Sequence, residues 1–223
     1  QVQNATDAVI MTIQAGIPVA RIELLDIAQV KAVNNYSKLN LPESPLLFIK
    51  SDTALVQKNH PFFIPDFSQL IHHEVEVLVK INRIGKHIQT KFASKYYQEL
   101  GLGIDFTARD LQLILIESGL PWEKAKGFDG SAVIGEWFDK SNFEDINQLD
   151  FQLQKNGVVV QEGNTSQMLW KIDELIAEIS QFFTLKIGDI IFTGTPAGIG
   201  SISDNDLLEG FLMGEKVFSV KVK

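Results

Sequence analysis

The sequence contains no cysteine, which excludes disulfide frameworks, thiolate zinc sites, iron–sulfur clusters and cysteine nucleophiles, so any metal must sit on oxygen or imidazole. Histidine is scarce at four residues, and none precedes His60. No uninterrupted apolar run approaches the roughly 18 residues of a membrane span. The apolar stretch after Asp7 is broken by Gly16 and Pro18 and lacks the basic residues that open a secretory leader. Positive charge is also in deficit: 20 Lys and Arg face 28 Asp and Glu, a net charge of −8. Nonspecific attachment to nucleic acid or an anionic membrane therefore has no electrostatic support. A cytoplasmic protein is expected, with small molecules or other proteins as partners, no nucleic acid and no membrane. What is present is ordinary globular composition, 45% hydrophobic and 22% charged over 223 residues, enough for one large domain or one domain with an appendage. The chain begins at Gln1, so the start of the gene product is expected to be processed or missing.

Residues 5–15 suit a short helix capped by Thr6 or Asp7, and Val19 to Leu25 suits a strand. Asp26 to Leu39 carries Ile27, Val30, Val33 and Tyr36 at the spacing of a second helix, which Pro42 and Pro45 end. From Leu46 onward short strands and turns dominate, with helices expected around Lys91 to Leu100 and Thr165 to Phe182. Asn156-Gly157 marks a hairpin between Phe151-Gln-Leu-Gln and Val158-Val-Val-Gln. The fold class is α+β and β-rich, preceded by a short α/β N-terminal segment.

Four stretches carry possible chemistry. In His72-His-Glu-Val-Glu-Val-Leu-Val-Lys-Ile81, polar Glu74, Glu76 and Lys80 alternate with Val75, Val77, Val79 and Ile81, as on a strand with one apolar face. Taken alone this segment reads as a solvated outer face, although residues two apart on a strand lie close enough for both carboxylates to share a cation. His72 and His73 face opposite sides, and Val77 breaks the His-Glu-x-x-His zinc pattern. Gly101 to Gln112 crowds Asp105, Arg109 and Asp110 among apolar residues. Arg109 and Asp110 fit a structural hydrogen-bonding unit as well as a catalytic role, whereas Asp105 would be desolvated without a cation. Gly119 to Gly130 is a glycine-rich loop in which Lys126 reads, unaided, as a solvated surface lysine. Ile190 to Gly200 is a strand entering a glycine-rich turn that lacks the Lys-Ser/Thr ending of a phosphate-binding loop. Its glycines would let backbone N–H groups and the Thr195 hydroxyl approach a ligand.

In order, Phe48-Ile-Lys50, His73-Glu-Val-Glu76, Gly103-Ile-Asp-Phe-Thr-Ala-Arg-Asp-Leu-Gln112, Pro121-Trp122, Ala125-Lys-Gly-Phe-Asp129, Gly163-Asn-Thr165 and Thr193-Gly-Thr-Pro-Ala-Gly-Ile-Gly200 resemble the fumarylacetoacetate hydrolase family over about residues 46–223. That resemblance replaces the solvated-face reading of Glu74 and Glu76. It implies that Glu74, Glu76 and Asp105 hold Mg²⁺ or a similar ion; three carboxylates without a soft ligand suit Mg²⁺, Mn²⁺ or Ca²⁺. It further implies that the ion chelates a 2-oxo acid and stabilises its enolate, that Lys126 stabilises the same charge, and that Arg109, Gln112 and Thr195 hold the substrate. Asp110 is expected to orient Arg109. The implied reactions are C–C hydrolysis of acylpyruvates, decarboxylation of oxaloacetate, and tautomerisation or isomerisation of oxaloacetate or hydroxydienedioates. A homodimer is implied too.

The N-terminal part departs from this pattern. The family's Gly-Arg-Asn-Tyr corresponds to Val33-Asn-Asn-Tyr36, and the lid His-x-x-Glu pair that activates water has no counterpart. A catalytically impaired, metal-binding homologue is therefore the alternative. Residues 16–48 also resemble part of the C-terminal domain of FAD-linked oxidases of the glycolate or D-lactate dehydrogenase type. The expected division is thus 1–45, an atypical segment read as a fusion from another protein, and 46–223, the catalytic domain.

Overall fold

The computed structural model describes Val19–Leu25 as a strand and residues 45–223 in full. The helices expected over 5–15 and 26–39 lie outside the described residues.

The expected strand is found as β1, Val19–Leu25. It runs antiparallel to β2, Leu46–Ser51, and parallel to β10, Ile190–Phe192. Beyond β10 follow β4, Val75–Ile81, then β5, Tyr97–Asp105, and β7, Ala132–Asp139, completing a six-stranded sheet. A small sheet orders β11, Gly200–Ser201, β3, Ile71–His73, and β6, Thr107–Ala108. A third sheet orders β13, Glu215–Lys221, β12, Leu207–Leu212, β8, Asp150–Lys155, and β9, Val158–Asn164. The hairpin turn falls at Asn156-Gly157 as expected, both residues taking positive φ. One core, including Val77, Leu100, Leu102, Leu153, Ile176 and Leu208, lies between these sheets and the C-terminal helix. The architecture is β-dominated with few helices.

Two helix expectations change. Over 91–100 only one turn forms, α1, Thr90–Ala93, and Tyr97 already belongs to β5. β5 lies between β4 and β7, and residues 100–105 are all buried. A strand buried on both faces shows a continuous apolar run instead of alternation, which a short window cannot separate from a helix. The second helix is shorter than expected: α4 spans Ile172–Phe182, after a 3₁₀ turn at Thr165–Gln167. Its start is fixed by Glu174, whose carboxylate accepts from the Lys171 backbone N–H at 2.8 Å. Two further helices occur that were not expected: α2, Arg109–Glu117, in a region read as short strands and turns, and α3, Glu123–Lys126, within the glycine-rich loop.

Candidate metal centre and active site

Glu74 sits at the break between β3 and β4, and its backbone carbonyl accepts from the Asp105 N–H at 2.8 Å. Glu76 lies opposite Gly103 in the β4–β5 register, and Asp105 ends β5. Neighbouring interior strands therefore bring the three side chains to one point. Oxygens of Glu74, Glu76 and Asp105 all lie within 4.8 Å of one another, and the residues are 0–1% exposed. The solvated-face reading of this strand is wrong for both glutamates. β4 is covered on both faces, and only Lys80 reaches toward solvent. Buried carboxylates at this density require compensating cations, and a donor set made only of oxygens fits a hard divalent ion.

Two lysines supply part of the compensation. Lys126, at the end of α3, is fully buried and not the surface lysine its loop suggested. Its Nζ donates to Glu74 Oε2 at 2.9 Å, to Thr107 Oγ1 at 2.7 Å and to Asp105 Oδ2. All three ammonium hydrogens are thus engaged. Lys50 of β2, also fully buried, reaches Asp105 Oδ1 at 2.5 Å and Ser131 Oγ at 3.1 Å, and bonds the Lys126 carbonyl. Lys50 matched the family pattern but was given no role by the sequence. A lysine closing the apolar run Leu46-Leu-Phe-Ile was the available signal.

The two glutamates are driven apart in acidity. Burial pushes the Glu74 carboxyl up, but Lys126 and Arg109 outweigh it and hold it below the ordinary value. For Glu76, burial together with the Asp105 and Glu74 charges raises the pKa well above the ordinary value. Gly194, at φ 98°, aims its backbone N–H at Glu76 Oε2 from 2.6 Å, the contact that the glycine-rich turn makes possible.

Arg109, at the start of α2, bonds Glu74 Oε1 through Nη2 and Gln112 Oε1 through Nη1. Gln112, one turn further along α2 and buried, orients the guanidinium. Asp110 does not do so among the described residues. Its carboxylate accepts from Ser68 Oγ at 2.6 Å and from the N–H groups of Gln69 and Leu111, each at 2.8 Å. The sequence expectation for Asp110 is corrected: at the start of a helix its side chain turns back to the preceding loop, away from its neighbour's guanidinium.

Thr195 is buried behind the triad. Its hydroxyl donates to the Val75 carbonyl at 2.8 Å and accepts from Gln161 Nε2 at 2.8 Å. Gln161 uses its whole amide: Nε2 also donates to the Pro196 carbonyl at 3.2 Å, and Oε1 accepts from the Val75 N–H at 3.1 Å and from His73 Nδ1 at 2.8 Å. His73 therefore points into the interior, while His72 lies on the opposite side, as expected of adjacent strand residues. Burial and the Arg109 guanidinium lower the His72 pKa to about 4, so its imidazole is neutral. Gln161 was missed at the sequence level because its partners are distant in the chain.

With this geometry in view, comparison with known proteins is consistent. The profile described as "Fumarylacetoacetate (FAA) hydrolase C-terminal" matches residues 24–218, a span that includes two residues of β1. The chain is 38% identical over 195 residues to oxaloacetate tautomerase YcgM of Escherichia coli (strain K12), covering 83% of this chain and 89% of that protein. It superposes with TM-score 0.80 on a fumarylpyruvate hydrolase from Pseudomonas aeruginosa solved with Mn²⁺ and pyruvate, at 29% identity and covering 91% and 87% of the two chains. A 5-carboxymethyl-2-hydroxymuconate delta-isomerase from Mycobacterium smegmatis gives TM-score 0.78 at 30% identity, covering 92% and 79%. The acidic trio, its buried lysines and the glycine turn behind it are thus carried by a chain that belongs to the fumarylacetoacetate hydrolase family.

Proposed function

We propose that this chain is a divalent-metal-dependent enzyme that interconverts the enol and keto forms of oxaloacetate or a close 2-oxo dicarboxylate. The observation that carries this reading is the convergence of Glu74, Glu76 and Asp105 within 4.8 Å, with Lys126 bonded to two of them. Mg²⁺, Mn²⁺ or Ca²⁺ held by the trio would supply Lewis-acid polarisation of the 2-oxo carbonyl. The protein's own part is electrostatic. Lys126, with its hydrogens engaged by Glu74, Asp105 and Thr107, presents a fixed positive charge to the enolate oxygen. Arg109, steered by Gln112, holds a substrate carboxylate, and Thr195 keeps the glycine turn against β4.

Tautomerisation needs no activated water, which suits a chain in which no histidine precedes His60. The similarity to oxaloacetate tautomerase YcgM supports the same choice. The second reading, hydrolysis of an acylpyruvate, is favoured by the likeness to the fumarylpyruvate hydrolase with Mn²⁺ and pyruvate. In either reading the protein is a cytoplasmic homodimer, for which exposed Phe63 and Phe67 offer apolar surface.

Enol–keto exchange of oxaloacetate and cleavage of acetylpyruvate, each assayed with Mg²⁺ and after EDTA, decide the matter. Exchange without cleavage, lost with EDTA, is expected. Cleavage would transfer the assignment to a hydrolase, and neither activity with metal still bound would make the chain an inert homologue. Replacement of Lys126 by Ala should reduce exchange about 10²- to 10³-fold and lower kcat more than metal affinity.

A further inference from the structure

Among the described residues, two buried nitrogens beside the acidic trio have no hydrogen-bond partner: His72 Nδ1 and Arg109 Nε. They belong to one face of the small sheet. His72 pairs across the strands with Thr107, so the two side chains project to the same side. That side is the site, because Thr107 Oγ1 accepts from Lys126 at 2.7 Å. The neighbouring pair, Ile71 and Ala108, points the other way into the core. Arg109 follows Ala108 directly, its N–H bonded to the Leu70 carbonyl at 2.8 Å, which sets it diagonally from His72 at a distance long side chains span. Its Nη1 and Nη2 each make one bond, to Gln112 and to Glu74, whereas Nε makes none among the described residues.

A buried polar atom without a partner costs about 1–3 kcal/mol, and two of them on one face beside a ligand site point to an oxygen shared between them. Charge indicates which oxygen. Among the described residues, the carboxylates of Glu74, Glu76 and Asp105 face the cations Lys50, Lys126 and Arg109. The Arg109 guanidinium carries positive charge, so the oxygen suited to the pair is that of an anionic group, and a 2-oxo dicarboxylate offers one beyond its 2-oxo acid end.

We infer that His72 is a substrate-recognition residue, donating from Nδ1 together with Arg109 Nε to the carboxylate of a 2-oxo dicarboxylate remote from its 2-oxo acid end. This rests on the reading of the substrate given above. It assigns His72 a hydrogen-bonding role in substrate choice and no part in proton transfer.

The test uses two stable probes that differ in that remote carboxylate, malate and lactate, titrated calorimetrically into the Mn²⁺-loaded protein. The parent protein should bind malate more tightly than lactate. H72F should weaken malate about tenfold, leave lactate within twofold, and keep Mn²⁺ affinity and unfolding temperature near the parent values. H72N, which returns an amide donor near the Nδ1 position, should recover part of the preference. If H72F does not fold, H72L takes its place, and a malate preference unchanged there, or both probes weakened alike, overturns the assignment of His72. A parent that binds both probes equally would reject the dicarboxylate reading and His72's role with it. A preference for malate that persists unchanged in H72F would reject His72 alone and leave that reading standing.

Discussion

Two strands of this molecule are written in nearly the same letters and meet opposite fates. β4 with the preceding Glu74 alternates Glu, Val, Glu, Val, Leu, Val, Lys, and β13 runs Glu, Lys, Val, Phe, Ser, Val, Lys. In β13 the polar residues mark the surface: Lys216, Ser219 and Lys221 are exposed, while Val217, Phe218 and Val220 are buried, the alternation slipping once where the register passes over Val217. In β4 the corresponding polar positions, Glu74 and Glu76, are each 1% exposed. Position in the sheet makes the difference. β13 ends its sheet, whereas β4 is hydrogen-bonded on both sides, to β10 and β5, and is covered on both faces. A carboxylate on an edge strand meets water; one on a doubly covered interior strand must meet a cation. Alternation therefore marks which side chains share a face but not whether that face is wet.

The largest test of this contrast is Glu76→Gln. Removing a ligand should weaken Mg²⁺ or Mn²⁺ binding by more than the roughly 10- to 100-fold that loss of an outer-shell partner costs. The same change removes a carboxylate whose pKa burial, together with repulsion from Asp105 and Glu74, raises well above the ordinary value. The metal-free protein should accordingly unfold at a higher temperature than the parent. Calorimetric titration with calorimetric unfolding measures both, and unchanged metal affinity would break the comparison. Next in size is Lys50→Met. It removes one cation from Asp105 while leaving the strand apolar and filled. Breaking one side of a buried pair costs about 3–5 kcal/mol, seen as a fall in the denaturant midpoint at unchanged slope. A loss below about 1 kcal/mol would mean that this lysine behaves as a surface one.

Some of this was readable before the fold was known, and the division follows the range of the interactions. β1, the onset of short strands at Leu46 and the Asn156-Gly157 hairpin were legible because their signals are local: β-branched and apolar runs, and a turn that requires positive φ. The trio was legible from the resemblance of its segments, in a way that the spacing of Glu74 and Glu76 was not. β5 was misread as helix because its sheet partners, β4 and β7, make its burial continuous. Lys50 and Gln161 gained no role because their contacts, Lys50 with Ser131 and Gln161 with His73, join residues 81 and 88 positions apart. No periodicity in a short window encodes such pairs. Asp110 shows the reverse error: adjacency to Arg109 suggested a partner that three donors of the preceding loop and its own helix supply instead.

Asp110 lies between the two strands in character, being half-buried and bonded to neutral donors. Burial pushes its pKa up, but the hydrogen bonds from Ser68, Gln69 and Leu111 outweigh it and hold it below the usual value. A carboxyl with a depressed folded-state pKa contributes stability that is present above the unfolded pKa and fades as pH falls through the folded one. Asp110→Asn should therefore lower stability by about 1 kcal/mol at pH ~7, and the deficit relative to the parent should shrink on acidification below pH ~4. Urea unfolding at both pH values measures it. A deficit independent of pH would assign the loss to packing instead of charge.

The smallest effect belongs to β13, and it sharpens the contrast most directly. Ser219→Glu gives this strand another acidic position, opposite Glu209 in the β12–β13 register. On β4 a glutamate is buried among like charges. On β13 it would meet one like charge across the strand with water on the other side. The expected loss is about 0.5 kcal/mol, and it should decline as salt is raised toward 1 M, where the screening length falls to about 3 Å. Denaturation curves at low and high salt would show it. A loss of several kcal/mol that salt leaves untouched would mean that the edge of the third sheet is covered in the folded protein, and that the two strands differ in something other than access to water.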